Sequence, residues 1–134
     1  MTGLLVIGAV VLVVALVAAT LGRANGRFRR RQRGHVLTSS ELGSELGARA
    51  TLVQFSSAFC SPCRATRTLL RDMVAHREDV SYVDIDAESH LELVRSLGIV
   101  RTPTVVVLNH DGVVVRQAVG LPRRDQINAV LAAI

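Results

Sequence analysis

Residues 51–76 of this chain read TLVQFSSAFCSPCRATRTLLRDMVAH. The first six residues are rich in β-branched and aromatic side chains, which is typical of a strand. From Pro62 onward the apolar residues recur every three or four positions, which predicts an amphipathic helix. Proline suits the first turn of a helix because its missing N–H would have no partner there. Cys60 and Cys63 therefore stand where a strand ends and a helix begins.

The two cysteines are placed for chemistry rather than for holding the fold together. They are the only two in the chain, and a bridge that closes so short a loop constrains the unfolded chain little. A helix N-terminus carries partial positive charge and free N–H groups, so it stabilises a thiolate at Cys60. Cys60 can then attack a disulfide, and Cys63, one turn later, can resolve the mixed disulfide.

Two other interpretations of the cysteine pair are a metal site and inert core residues. Zinc needs about four ligands. Twelve residues separate Cys63 from His76, as in a Cys₂His₂ finger, but the next histidine is His90, outside the required spacing. The Ser61–Pro62 pair between the cysteines is not typical of a core. No metal and no cofactor are therefore expected.

The rest of the chain after residue 35 alternates between helical and strand patterns. Capping-box spacing at 38–41 precedes a short helix, and Gly98 suits a helix C-terminus. Further elements are predicted as strands at 80–85, 104–108 and 113–119, a hairpin turn at 109–112, and helices at 89–97 and up to Ile134. The order α-β-α-β-α-β-β-α predicts an α/β fold with a mixed central sheet and helices on both faces.

An uncharged apolar run lies near the N-terminus of the sequence. Residues 3–22 consist of Leu, Val, Ile, Ala and Gly apart from one Thr, and at 1.5 Å per residue they span roughly 30 Å, the thickness of a bilayer core. A cleaved signal peptide would need basic residues before the run and a shorter apolar core, whereas only Met1 and Thr2 precede it. Residues 1–22 are therefore predicted to be one transmembrane anchor.

A cluster of arginines follows this run. Six of the sixteen arginines fall within residues 23–33, which leaves ten against eleven acidic residues elsewhere. The domain itself is thus close to neutral, and binding to nucleic acid loses its main support. Residues 23–35 are predicted to be a basic, solvated linker that also attracts anionic lipid. Since cationic residues beside a first helix stay in the cytoplasm, the domain at 36–134 is expected to face the cytoplasm from the cell membrane.

Residues 36–134 resemble a thioredoxin domain over their whole length and in the same order. The segment FCSPCR at 59–64 resembles the family's active-site motif, which usually begins with Trp and has Gly-Pro between the cysteines. Similar segments follow in order: VDID at 83–86 for a strand, GIVRTPT at 98–104 for the cis-proline segment, and 109–112 and 119–120 for the hairpin and the glycine after it. A CxxC motif alone is a weak signal, but its combination with the Thr-Pro-Thr segment is specific.

The resemblance implies roles for further residues. Pro103 would be the cis-proline beside the disulfide, and Thr102 would offer backbone hydrogen bonds to a bound peptide. Phe59 and Pro62 would complete the substrate-binding rim. Two plainer interpretations remain: Pro103 as a strand-edge proline and Phe59 as a core aromatic.

Four positions depart from the family pattern. Gln54 stands where a buried acid often takes a proton from the resolving thiol, and an amide cannot act as a base. Ser56 and Phe59 stand where Trp is common, and Tyr82 stands where Lys often lies near the acid. Proton transfer is therefore expected to use water or another group, and exchange to be slower.

The remaining titratable residues are assigned no role in the chemistry. Asp84 and Asp86 are predicted to be solvated or capping residues near a strand end. The four histidines, His35, His76, His90 and His110, are expected on the surface.

Three functions are compatible with these features. The leading one is a membrane-tethered thiol–disulfide oxidoreductase that reduces protein disulfides, recharged by a thiol or reductase donor. The second is an extracytoplasmic oxidoreductase in disulfide formation or cytochrome maturation. The third is a redox-inactive adaptor with a thioredoxin fold, which the loss of the acid at Gln54 favours slightly.

Overall fold

The computed structural model describes residues 1–30 and 34–134, which form helices and strands around one mixed sheet. The helices are α1 (Thr2–Ala24), α2 (Ser39–Leu42), α3 (Ser61–Val74), α4 (Leu91–Ser96) and α5 (Arg124–Ala132). The strands are β1 (Phe28–Arg30), β2 (Ala50–Ser56), β3 (Val80–Asp86), β4 (Thr104–Asn109) and β5 (Val114–Val119). From α2 onward this order confirms the one predicted from the sequence.

The sheet has the strand order β1-β5-β4-β2-β3. Strand β2 lies between β3, which runs parallel to it, and β4, which runs antiparallel. All seven residues of β2 are buried because strands pair with both of its edges and helices cover both faces. Strand β2 ends before the loop to Cys60, and strand β4 begins directly after Pro103. These two strands are thus direct neighbours in the middle of the sheet.

The alternation of side chains along β2 builds two cores. Val53 and Phe55 point to one face, where they pack with Leu42 of α2 and Leu97 after α4. On the other face, the core contains residues of β2, α3 and α5, including Leu52, Leu70, Met73, Ile127 and Leu131. The predicted α/β fold with helices on both faces is confirmed.

Local sequence signals account for the ends of several elements. The Glu41 backbone N–H donates to Thr38 Oγ1 at 3.3 Å, and the Thr38 N–H donates to Glu41 Oε2 at 2.8 Å, which completes the predicted capping box. Helix α4 begins two residues later than predicted. There, the Asp86 carboxylate accepts hydrogen bonds from the Glu88 N–H and the Ser89 hydroxyl, which holds a turn instead.

The prediction of a solvated linker over residues 23–35 is wrong for Phe28–Arg30. These residues form β1, which pairs antiparallel with β5 at the edge of the sheet. Phe28 is half-buried and packs against the core beside α5. Two arginines in three residues hid the strand, because an edge strand tolerates exposed charges and needs only one inward apolar side chain. Arg31 and Arg33 of the predicted cluster lie outside the described residues.

Helix α1 covers the apolar run and presents it outward. The candidate span Thr2–Arg23 has a mean hydropathy of 3.0, and none of its most apolar stretch is buried inside the protein. By length and composition the helix could cross a membrane, and a signal sequence near the N-terminus would meet the same description.

Candidate active site

The cysteine pair lies at the start of α3, as the sequence predicted. Cys60 is the N-cap residue, and its sulfur accepts a hydrogen bond from the Cys63 backbone N–H at 3.2 Å. The two sulfurs form a disulfide, so the site is in its oxidised state. Cys60 is partly exposed, whereas Cys63 is 1% exposed. Of the two sulfurs, that of Cys60 is therefore the one an incoming protein can reach.

Exposed apolar side chains accompany Cys60. Phe59 is fully exposed, and Pro62 is exposed in the first turn of α3. Val100, which the sequence interpretation did not single out, is 86% exposed in the loop that leads to Pro103. Phe59, Pro62 and Val100 are here called the apolar rim. Large apolar residues that stay in solvent beside a reactive group are typical of a surface that binds other proteins.

The loop that contains Pro103 reaches the same end of the sheet. Phe55 near the end of β2 pairs with Thr104 at the start of β4, so both loops leave the sheet together. The hydroxyls of Ser57 and Thr102 share a hydrogen bond of 2.9 Å between the two loops. The Thr102–Pro103 peptide bond is cis, as the resemblance implied, and Pro103 is buried. The cis-proline loop thus lies beside the loop that leads into Cys60.

Gln54 occupies the buried position beneath the first turn of α3. It is fully buried, and its Nε2 donates to the carbonyl oxygen of Cys63 at 2.9 Å. Its Oε1 accepts a hydrogen bond from the Tyr82 hydroxyl at 2.8 Å. Burial of the ring and, second, the nearby Asp84 carboxylate raise the pKa of Tyr82 to about 12, so the phenol keeps its proton at neutral pH. Both polar groups of the Gln54 side chain thus have hydrogen-bond partners, and neither Gln54 nor Tyr82 acts as a base.

The prediction that Asp84 is a solvated or capping residue is wrong. Its side chain is 19% exposed and accepts hydrogen bonds from Ser56 Oγ and from Arg67 Nε, each at 2.6 Å. Arg67 lies on α3, one turn after Cys63, and the hydrogen bond to Asp84 raises the pKa of its guanidinium further. The chain therefore has a paired carboxylate under α3, but on β3 rather than at the position of Gln54. Asp86, by contrast, caps a turn, as predicted.

A signal for this ion pair was present in the sequence. Tyr82 and Asp84 are two residues apart on one strand, so they share a face, and that face carries Val80 in the core under α3. Arg67 follows Cys63 by four residues, which places it on the same side of the helix. The side-chain period of two in the strand and of 3.6 in the helix, taken together, would therefore have predicted that Asp84 and Arg67 lie close to each other.

A family model for thioredoxin matches residues 34–133. The chain belongs to the thioredoxin family. It is therefore a thioredoxin-like thiol–disulfide oxidoreductase with a disulfide-forming cysteine pair, and proteins of this family act on protein substrates. Among the residues that the structure describes, no group of three or more His, Cys, Asp or Glu side chains could hold a metal ion.

Individual thioredoxins resemble the chain to different extents. Thioredoxin from Alicyclobacillus acidocaldarius is 29% identical over 89 residues, which cover 66% of this chain and 84% of that protein. Human thioredoxin domain-containing protein 2 is 37% identical over 60 residues, which cover 45% of this chain but only 11% of that protein. This chain thus spans about a tenth of the length of that relative.

Solved structures of thioredoxins share the fold at low identity. A mutant thioredoxin from Halobacterium salinarum has a TM-score of 0.60 at 19% identity, with 73% of this chain and 86% of that chain covered. Thioredoxin f from spinach chloroplast has a TM-score of 0.56 at 23% identity, with 65% and 77% covered. At these identities the likeness concerns the fold alone.

Proposed function

We propose that this protein is a membrane-anchored reductase of protein disulfides in which Cys60 attacks and Cys63 resolves. The observation that carries the proposal is the unequal exposure of the two sulfurs at one helix N-terminus. The partly exposed Cys60 meets the substrate first. The buried Cys63 is withheld from solvent but lies one turn away from its partner.

The reaction starts from the dithiol form of the site. The Cys60 thiolate attacks one sulfur of the substrate disulfide, which forms a mixed disulfide and releases the other substrate sulfur as a thiolate. Cys63 loses its proton and attacks Cys60, which restores the Cys60–Cys63 disulfide and releases the second substrate thiolate. Both substrate thiolates take up protons. Two electrons have then passed to the substrate, and a dithiol donor returns the site to its starting state.

The proton of Cys63 must leave without a base at the position of Gln54. The Gln54 amide is already committed to the Cys63 carbonyl and the Tyr82 hydroxyl. Water at the rim of the site is then the acceptor, and resolution is the step that this arrangement slows. The same amide holds the first turn of α3 in place, which favours the N–H to sulfur contact at Cys60.

The apolar rim and the cis-proline loop form the substrate-binding surface. Phe59 and Pro62 are exposed next to the cysteines in the chain, and Val100 is exposed in the loop that leads to Pro103. Thr102 joins the two loops through its contact with Ser57. An extended peptide that carries a disulfide would lie across this rim, with Thr102 and Pro103 beneath its backbone. The outward apolar side chains of α1 support anchoring of the whole chain in the cell membrane. The arginines that follow α1 support a position of the domain on the cytoplasmic side.

The test is to trap the mixed disulfide. Cys63→Ser should accumulate a long-lived adduct through Cys60 with a disulfide-bonded protein such as insulin, because nothing remains to resolve it. Cys60→Ser should form no adduct and abolish reduction, and it serves as the matched control. Non-reducing gel electrophoresis and mass spectrometry detect the adduct. Turnover by Cys63→Ser at the parent rate would refute the two-cysteine mechanism, and an unreactive parent chain would favour the adaptor function.

A further inference from the structure

The end of α1 is attached to the active-site end of the domain without a free tether. Only three residues separate α1 from β1, and two of them make contacts with the domain. The Gly26 N–H donates to the Val119 carbonyl, and Asn25 Oδ1 accepts a hydrogen bond from Arg101 at 3.0 Å. A side chain at Gly120 would overlap Asn25, which shows how closely the two segments pack.

These contacts lead directly to the cis-proline loop. Val119, which Gly26 contacts, precedes Gly120, and the Gly120 N–H donates to the Pro103 carbonyl at 2.7 Å. Hydrogen-bonded residues on neighbouring strands are about 5.5 Å apart and consecutive residues about 3.8 Å apart, so Gly26 lies within roughly 15 Å of Pro103. Arg101, on the other side of this contact, is two residues from Pro103.

The last turns of α1 also lie beside the start of α5. Ala19, inside the apolar run, is half-buried and shares a cleft with Arg123 and Gln126. The domain therefore begins at the level of the last turn of the apolar helix, not beyond it. A domain in this position has its cis-proline loop on the side that faces the end of α1.

Positive charge surrounds this end of the molecule. Arg27, Arg29 and Arg101 line one cleft beside β5, and Arg23 and Arg27 line the cleft against α5. The basic collar is defined here as Arg23, Arg27, Arg29 and Arg101, all of which are exposed. Its charge is complementary to anionic lipid headgroups, which attract basic residues next to a membrane-spanning helix.

We propose that the cysteine pair works at the bilayer surface, and that its substrates are disulfides of proteins in the same membrane that lie close to the headgroups. The proposal rests on the proposed anchoring and disulfide exchange. The basic collar holds the domain against the lipid, and the short path from α1 to Pro103 holds the substrate-binding loop close to it. Disulfides far from the membrane are out of reach for a domain held in this way.

The experiment uses the full chain in vesicles of phosphatidylcholine and phosphatidylglycerol, with single-span peptides as substrates. In one peptide a disulfide loop follows the span directly. In the other, ten prolines, about 31 Å long, separate the loop from the span. The parent chain should reduce the near disulfide about tenfold faster than the far one, because anchoring raises the effective concentration only of sulfurs at its own height.

The matched variant carries a spacer of twenty Gly and Ser residues between Ala24 and Asn25. This insertion keeps every contact of Asn25, Gly26 and β1 within the domain but releases the domain over about 25 Å. It should bring the two rates within about twofold of each other. The same spacer appended after Ile134 should leave the preference unchanged.

Reduction of dithionitrobenzoate, a soluble disulfide, distinguishes a failure of the surface restriction from a failure of the proposed function. All three chains should reduce it at equal rates, which shows that the site itself is intact. Normal reduction of this reagent with equal rates for the near and far peptides in the parent chain would overturn the surface restriction and leave the proposed function standing. Failure of the parent chain to reduce any disulfide would instead refute the proposed function.

Discussion

In the proposed reaction, Gln54 is the residue whose chemistry sets the slow step. Its amide satisfies the Cys63 carbonyl and the Tyr82 hydroxyl at once, so it stabilises the first turn of α3. It does not ionise at neutral pH, so it cannot accept the proton of Cys63. A side chain at this position either donates a hydrogen bond to the Cys63 carbonyl, as the amide does, or accepts a proton, as a carboxylate would.

Replacement of Gln54 tests whether the amide stabilises the fold at the expense of the rate of resolution. Gln54→Asp should speed the resolution of the Cys60 mixed disulfide near neutral pH, because a buried carboxylate can accept the Cys63 proton. It should also lower the free energy of unfolding by about 1–3 kcal/mol, since the Cys63 carbonyl loses its donor. Stopped-flow release of the second substrate thiol measures the rate. Gln54→Asn, with the same shorter side chain and no acid, should lose stability without gaining rate; an equal gain in both variants would contradict the interpretation.

Tyr82 offers a direct optical measurement of the same network, because it is the only tyrosine in a chain that has no tryptophan. Tyrosinate absorbance should report a pKa near 12 in the folded chain, compared with about 10 in urea. The folded state then binds more protons between these values, so stability should fall as pH rises through this window. Tyr82→Phe should remove that part of the loss. A native titration near the ordinary value would show that the ring is not enclosed.

Residues of the site differ in how far the sequence alone could predict them. Cys60, Cys63 and Pro103 belong to short motifs whose local geometry follows from neighbouring residues. The Asp84–Arg67 pair depends on the phase of a strand and of a helix that meet only in the folded chain, so only the two periods combined, and no single local pattern, could predict it. The exposure of Val100 also follows from the packing of the loop and not from residue type.

At the scale of elements, β1 is the part that composition concealed. The other strands are predicted by apolar runs or alternation in the sequence, and the helices by caps and periodicity. Strand β1 has three residues, and its pairing with β5 joins segments that are far apart in the sequence. Short edge strands of this kind are stabilised by tertiary contacts rather than by their own propensity.

Truncation measures the contribution of β1. A soluble chain that begins at Asn25 should be more stable than one that begins at Val36 by about 1–2 kcal/mol, because Phe28 covers the core beside α5. Both should fold, since the two cores lie within residues 36–134. Urea denaturation gives the difference. Phe28→Ser in the longer chain should reproduce most of the loss, and equal stability of all three would mean that β1 contributes nothing.

At the scale of the whole molecule, the arginines after α1 should determine which side of the membrane receives the domain. Arg23, Arg27 and Arg29 are exposed next to the end of the helix that leads into the domain. Cationic residues near a first helix resist translocation. We therefore expect the orientation to change when these charges are moved to the other end of the helix.

Relocation of the charges tests this orientation. A C-terminal reporter enzyme that is active only in the cytoplasm should be active in the parent chain. Exchange of Arg27, Arg29 and Arg30 for Ser, with three arginines inserted before Leu4, should lower its activity because the chain inverts. Exchange of Arg64, Arg71 and Arg95, far from the helix, for Ser should leave it unchanged. A reporter that is inactive in the parent chain would place the domain outside and favour the extracytoplasmic function.

For the proposed membrane-anchored protein, the three-residue connection between α1 and β1 has a kinetic consequence. With Asn25 and Gly26 held by the domain, the cysteine pair can turn only when α1 rotates about its own axis, and it can travel only when the helix diffuses laterally. Its encounters then form a search in two dimensions. The encounter rate in such a search depends on the number of partners per unit area of membrane. A change in cell volume alone would therefore leave the encounter rate unaltered.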